Sequence, residues 1–315
     1  MHKNLTLVAD VGGTHNRLAL ADGTRLLHDS ISRSENAQHA TFTDRLAAYL
    51  KTTNARPAAV CIAAAGPVRD GTVQLTNHSW HISARDIAQI TGTARVLLLN
   101  DLQAMGHALA LPAIMGSPLT QTRLVLAIGT GMNCAVAHPC ANGVFVPPGE
   151  SGYSTLPLTT GADAAVLRHV GDMHGTPVIE SILSGPGLSR AHFALTGTHI
   201  AAEAITTPTA PNTPARSIHP GTADTLALAL RVLGAHLGSL ALTHLPLGGI
   251  ALAGSVGRAL FAHLDSPHFQ THYANRGPYT DLLTGIPLHQ ITDDTAPLHG
   301  AALAMTQAPP MSSSD

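Results

Sequence analysis

Asp10 closes the apolar run Leu7–Val8–Ala9, and Val11–Gly12–Gly13–Thr14 follows before a second apolar run leaves through Leu18–Ala19–Leu20. That order predicts a hairpin whose tip has no bulk to keep a ligand away. Successive amides at such a tip suit phosphate oxygens, and a carboxylate at the strand end suits a divalent cation or a water bound to one. An ordinary tight turn is the other reading, because Gly and Asp are common turn residues. The same architecture returns in Leu124–Ile128, Gly129–Thr130–Gly131 and Met132–Ala137. A third cluster, Gly248–Gly249 and Gly254, brackets the apolar Ile250–Ala253, where backbone could approach an adenine or ribose. The P-loop and Gly-x-Gly-x-x-Gly spacings are both absent. Lysine occurs only as Lys3 and Lys51. Any phosphate must then be met by amides, hydroxyls, Arg17 and a metal ion.

Asn100–Asp101 follows the apolar strand candidate Val96–Leu99. Ligands of open α/β sheets bind beyond the carboxyl ends of strands. An aspartate there can take the proton of a hydroxyl as it attacks phosphorus, or it can simply cap a following helix. Thr76–Asn77–His78–Ser79–Trp80 gathers polar groups around the only tryptophan, Glu150 and Tyr153 lie in the loop Pro148–Tyr153, and Glu180 precedes Leu183–Ser184–Gly185–Pro186–Gly187. Carboxylates and amides offered from several loops match a polyhydroxylated ligand, since each hydroxyl both donates and accepts. Taken singly, each reads more readily as a solvated surface group, and their strength is joint.

The elements that would carry these residues alternate. Strands are predicted at Leu5–Asp10, Arg17–Ala21, Ala58–Ala64, Thr72–Leu75 and Val96–Leu99. Helices are predicted at Thr41–Lys51, Ser83–Thr91, Ala162–Val170, Gly187–Leu195, Asp224–Leu245 and His299–Thr306. The pattern predicts mixed α/β sheets, with Thr206–Thr222 an exposed loop and Gln307–Asp315 a disordered tail. The length of 315 residues suits one large or two medium domains. With 44% apolar and 11% charged residues and a net charge of -2, nothing favours nucleic acid or an anionic membrane. No apolar run reads as a membrane span, and no leader segment is evident. Cys61, Cys134 and Cys140 lack metal spacing and read as reduced cytoplasmic thiols. The twenty histidines form no convincing metal pair.

Asp-Val-Gly-Gly-Thr, Thr-Asn-His-Ser-Trp, Asn-Asp, Gly-Thr-Gly, Pro-Gly-Glu, Leu-Ser-Gly-Pro-Gly-Leu and the late Gly-Gly-Ile-Ala-Leu-Ala-Gly follow in that order from Leu5 to Leu303. Together they resemble the bacterial ATP-dependent glucokinase family. The resemblance implies the duplicated ribonuclease-H-like, actin-like ATPase fold, with ATP and sugar in an interdomain cleft that closes to exclude water. It implies a small α/β domain over 1–108 rejoined by a C-terminal helix over 297–306, and a large domain over 109–296. By position, Asp101 resembles the catalytic base, and Asn100, Asp101, Glu150, Glu180 and Asn77 resemble sugar ligands. Asp10, Gly12, Gly13 and Thr14 match the first phosphate motif and Gly129, Thr130 and Gly131 the second, with Gly254 near the nucleotide and Asp10 toward Mg2+. The expected activity is transfer of the γ-phosphoryl of MgATP to the 6-hydroxyl of glucose in the cytoplasm. A homodimer is compatible with it, and nucleic acid and membrane are not expected partners.

Two departures stand out. The family loop Gly-Glu-Gly-Gly-His reads Gly-Glu-Ser-Gly-Tyr here, so Tyr153 takes the place of a sugar-contacting histidine. The family hairpin Gly-Thr-Gly-Leu-Gly ends here in Asn133, a residue that tolerates positive φ but whose side chain would intrude on the turn. These changes keep two alternatives open, a kinase of another hexose and a non-catalytic sugar or nucleotide sensor.

Overall fold

The computed structural model describes residues 4–76, 78–157, 164–207 and 219–309. The chain divides into two compact units. The first comprises residues 1–119, 137–148 and 293–315, and the second 120–136 and 149–292. These boundaries lie beyond the 108/109 break drawn from the sequence, and they give the segment 137–148 to the first unit.

In the first unit β1 (Leu5–Val11) turns back into β2 (His15–Asp22), followed by β3 (Arg25–Leu26) and β4 (Ser32–Glu35). Then come α1 (Phe42–Thr53), β5 (Ala59–Ala64), the small sheet β6 (Val68–Arg69), β7 (Thr72–Gln74) and β8 (His81–Ser83), α2 (Ala84–Thr91) and β9 (Val96–Asn100). The main sheet runs β3-β2-β1-β5-β9, with β4 also on β2. The β1–β2 pair is antiparallel, with Asp10 opposite Arg17, while β1–β5 and β5–β9 are parallel. As strands covered on both faces should, β1 and β5 read as continuous apolar runs. Phe42, Leu46 and Tyr49 of α1 and Ile87 of α2 cover one face together with Trp80. The other face carries Val8, Ala19, Cys61 and Ala63, packed by Ala104 of α3 (Asp101–Ala108) and by Leu298, Ala301 and Met305 of the C-terminal helix, Ala296–Gln307. A short helix, α4 (Pro112–Met115), follows α3. Gly300 makes the contact with α3 close, because a Cβ there would fall on the Ala104 carbonyl oxygen.

The second sheet runs β12-β11-β10-β13-β14, from β10 (Arg123–Ile128), β11 (Met132–Cys140), β12 (Gly143–Phe145), β13 (Ile250–Ala253) and β14 (Leu288–Gln290). β11–β12 is antiparallel, and β10–β13 and β13–β14 are parallel. The path repeats that of the first sheet: a hairpin whose first strand pairs in parallel with the first of two later strands. The helices of the second unit are α5 (Ala164–His174), α6 (Gly185–Thr196), α7 (Ala202–Thr206), α8 (Thr222–His244), α9 (Ser255–Phe261), α10 (Pro267–Ala274) and α11 (Thr280–Thr284). α8 corrects one expectation: it is long and apolar enough to cross a membrane, with a mean hydropathy of 1.6 in its most apolar window. It is a core helix all the same, since 67% of that window is buried and Leu228, Val232, Leu233 and Leu237 sit in the apolar cluster of the unit. Gly234 and Gly238 admit the α10 backbone, because a Cβ at either would meet the carbonyl oxygens of Phe269 or Tyr273 at 2.5 Å.

Two sequence expectations change. Thr206 is not loop but the buried last residue of α7, and Thr222 opens α8; residues 208–218 lie outside the described set. Gln307 closes the C-terminal helix, and its Oε1 accepts from the Val144 amide at 3.4 Å, so Gln307 is not part of the expected tail, of which residues 310–315 lie outside the described set. Trp80 is a core residue, 3% exposed, with its indole N–H donating to the Ala40 carbonyl.

Candidate active site

In the first unit the turn Gly12–Thr14 joins β1 to β2 as expected, with the Gly12 amide donating to the His15 carbonyl at 2.9 Å. Gly12 has an ordinary φ, and a Cβ on it would come no nearer than 3.4 Å to any neighbour. The chain itself therefore tolerates a side chain there, and the glycine leaves the tip open for something else. The Gly12 carbonyl is held from below, by a network that sequence reasoning missed. Asn36 Nδ2 donates to it at 2.9 Å, Asn16 Nδ2 donates to Asn36 Oδ1 at 3.1 Å, and Arg45 Nε donates to Asn16 Oδ1 at 2.8 Å. Asn16 and Asn36 are both fully buried. A polar residue at an inward position of β2 was the available signal, since buried amides are kept where they find partners.

Asp10 lies at the end of β1, 8% exposed, with its Oδ2 accepting from Arg17 Nη1 at 2.9 Å across the hairpin. Burial pushes its carboxyl pKa up, Arg17 pulls it down, and Asp294 raises it again. Asp294, just before the C-terminal helix, is a second carboxylate the sequence did not mark. Among the described residues no cluster of three or more metal-type ligands occurs.

Asn100 ends β9 and is itself the N-cap of α3. Its Oδ1 accepts from the Leu102 amide at 2.9 Å, and its own amide donates to Gln103 Oε1 at 3.2 Å, a capping box. Its Nδ2 donates to the Gly66 carbonyl at 3.1 Å. The cap role that the sequence leaves open to Asp101 thus falls to its neighbour. Asp101 is the first residue of the helix, half-buried, with Oδ1 accepting from Leu102 N at 2.8 Å. A helix N-terminus favours the charged carboxylate there. Asn77 lies outside the described residues.

In the second unit the expected sugar carboxylates come together around the β10–β11 turn. Glu180, on a single 3-10 turn over Ile179–Ser181, accepts through Oε2 from the Met132 amide at 2.8 Å. A Cβ on Gly131 would sit 2.8 Å from that oxygen, so a side chain there would displace the Glu180 carboxylate from the Met132 amide. Gly129, by contrast, has an ordinary φ, and a methyl group placed on it would have nothing within 4 Å, so its lack of a side chain serves no packing need. Its carbonyl accepts from Gly185 N, the first amide of α6, at 2.7 Å. Gly254 caps α9 with φ +77, pressed against the Ile128 backbone, where only glycine fits. Thr130 stands at the tip between Gly129 and Gly131.

Glu150 is exposed, and burial of its carboxyl followed by the charge of Glu180 pushes its pKa up. Tyr153 is 61% exposed, and its phenol pKa is raised first by Glu180, then by burial, then by Glu150. These three groups share one electrostatic neighbourhood. Asn133 departs from the sequence expectation twice. It lies in the extended strand β11 rather than at positive φ, and its side chain is taken up by the loop that carries Glu150 rather than by the glycine turn. The arrangement offers two open glycine tips, one carboxylate at a helix start and a carboxylate-phenol cluster.

Sequence comparison adds the deciding observation: the Glucokinase family matches residues 7–308. The chain belongs to the glucokinase family. It is 29% identical over 317 aligned residues to the glucokinase of Chelativorans sp. (strain BNC1), across 96% of this chain and 92% of that protein. Among solved structures, glucokinase from an Antarctic psychrotroph matches with a TM-score of 0.78 at 26% identity, over 97% of this chain and 99% of that one. A ROK family glucokinase from Streptomyces griseus, in complex with glucose and AMPPNP, matches with a TM-score of 0.67 at 20% identity, over 97% of this chain and 100% of that one. At that identity the likeness shows the fold alone. The fold is the duplicated actin-like ATPase fold, and the two sheets with one strand path are its signature in this member of the glucokinase family.

Proposed function

We propose that Asp101 is the base in an ATP-dependent phosphorylation of glucose, taking the proton of the 6-hydroxyl as it attacks the γ-phosphorus. ATP-dependent hexose phosphorylation is the activity of the family to which the chain belongs. The single observation that supports the site assignment best is the grouping of Glu150, Glu180 and Tyr153 at the second glycine turn. Acceptor carboxylates and a phenol match sugar hydroxyls, each of which can donate and accept. Gly12–Thr14 and Gly129–Gly131 would bind phosphate through amides, which cost no reorganisation at the moment of transfer. Most of the rate then comes from alignment and charge neutralisation rather than covalent chemistry by the protein.

Mg2+ belongs to the proposal. Asp10, with Asp294 near enough to raise its pKa, fits an ion that keeps several waters and needs only one or two protein carboxylates beside substrate phosphates. When bound, the ion neutralises charge on the phosphoryl oxygens. Asp10 would hold it and Arg17 would keep that carboxylate oriented through the 2.9 Å pair. A cytoplasmic setting completes the reading.

Kinase action on another hexose is a second reading, favoured by Tyr153. A phenol is longer than the family's imidazole and stays uncharged near neutral pH, all the more with its pKa raised. Coupled ADP release measured with glucose, mannose, fructose, N-acetylglucosamine and no sugar separates the readings. Glucose should give the highest kcat/KM. Greater activity with another hexose would establish the second reading, and no sugar-dependent ADP release would overturn both.

A further inference from the structure

Asn133 is 8% exposed and spends its whole amide on one loop and its own strand. Nδ2 donates to the Gly149 carbonyl at 2.7 Å and to Glu150 Oε2 at 3.0 Å. Oδ1 accepts from the Ser151 amide at 2.9 Å and from the Cys134 amide at 2.8 Å, with the Ser151 hydroxyl at 3.5 Å. Both amide protons and both lone-pair directions are thus engaged. The residues before, at and after the Glu150 position are all tied to one side chain on the rigid strand β11.

We propose that Asn133 is a positioning residue that fixes the Glu150 carboxylate for the sugar, holding Oε2 and leaving Oε1 for a hydroxyl. The inference rests on the reading of Glu150 as a sugar ligand. A Pro-Gly loop is otherwise soft, and its carboxylate must be held against repulsion from Glu180. The buried amide supplies both needs: it donates to the charged oxygen, and it pins the backbone on each side of the residue that bears it. A hydrogen bond to a charged group is among the stronger ones, and orientation lost at a ligand-binding carboxylate is felt in affinity.

Asn133→Ala should raise the sugar KM about 10-fold while kcat and the ATP KM change no more than severalfold, the loss matching one charge-assisted hydrogen bond. The charged and titratable groups that act on the Glu150 carboxylate are Glu180 from the 3-10 turn and Tyr153 from its own loop. Removal of the amide donor leaves the carboxylate less stabilised among them, so the acid limb of kcat/KM for the sugar should move to higher pH. Asn133→Asp keeps the acceptor for Ser151 and Cys134 but puts an oxygen where Glu150 and Gly149 need a donor. It should reproduce the sugar KM effect and the movement of the acid limb with the fold intact, even should the alanine variant fail to fold. Glu150→Gln is measured in parallel. If Glu150→Gln leaves the sugar KM unchanged, the sugar-ligand reading itself fails. If Glu150→Gln raises it while Asn133→Asp leaves both KM and acid limb as in the parent, the reading stands and the positioning role is overturned.

Discussion

Glycine is where residue-scale reading of a sequence is least selective, and the structure separates its uses here. Gly131 leaves room for the Glu180 carboxylate, Gly254 is required by its positive φ and the Ile128 backbone, and Gly129 has open space and an ordinary backbone. Gly129→Ala should therefore fold with an unchanged melting temperature and raise the ATP KM roughly 10-fold or more, since amide-phosphate hydrogen bonds are charge-assisted and sensitive to distance. An unchanged ATP KM would remove the phosphate reading of that turn. For Tyr153, whose ring is exposed, Tyr153→Phe should raise the sugar KM by about 2- to 13-fold, the equivalent of a neutral hydrogen bond of ~0.5–1.5 kcal/mol, and spare the ATP KM. No change in sugar KM would return the phenol to solvent. Asp10, Asp101, Glu150 and Glu180 can be marked as candidates in the sequence because they stand beside glycine turns and at a strand end, although turn, cap and surface uses compete there. Asn16, Asn36 and Arg45 are not, because what makes them a support for Gly12 is burial, and burial of a polar side chain is decided by strands far apart in the sequence. Asn133 stands out in the sequence as a departure from the family pattern, but only the fold shows that its amide faces the Glu150 loop.

Elements are legible where periodicity and capping agree. Thr41 and Asp44 form a capping box at the start of α1, and the apolar runs of β1 and β5 mark strands covered on both faces. β4, with alternating half-buried residues and two serines, carries no such signal and exists because β2 pairs with it. α8 shows the limit of composition: a membrane span and a core helix share its pattern, and only the packing of α10 against Gly234 and Gly238 separates them. Gly300 supplies an element-scale test. Gly→Ala inside a helix normally stabilises by about 1 kcal/mol through propensity. At Gly300 the new methyl would meet the Ala104 carbonyl, so Gly300→Ala should lower the melting temperature instead, by an overpacking cost of about 1–3 kcal/mol. A higher melting temperature would show that the C-terminal helix does not press on α3 as described.

Across the whole molecule the repeated strand path is visible in the sequence as two similar glycine hairpins, although the exact unit boundaries depend on contacts that no local pattern encodes. Each unit also carries a histidine whose pKa is pushed down to about 4 by desolvation, the half-buried His107 in α3 and the buried His236 in α8. Each has a ring nitrogen without a hydrogen-bond partner, Nδ1 of His107 and Nε2 of His236. An unfolded histidine titrates near ~6.5. Between there and about 4 the unfolded chain holds more protons, so stability present above that range falls as the pH drops, by up to about 3 kcal/mol per histidine. Denaturation midpoints at neutral and acid pH check this, and His236→Met should flatten the dependence; an unaltered dependence would contradict it. The most direct test of the central claim is a comparison of the parent with Asp101→Asn, by single-turnover phosphoryl transfer and by calorimetric titration with glucose. The account predicts a loss in kcat of at least ~10²-fold with glucose affinity held within severalfold. Near-parental turnover in a folded Asp101→Asn protein would contradict it and leave Asp101 as a first-turn helix residue beside the Asn100 cap.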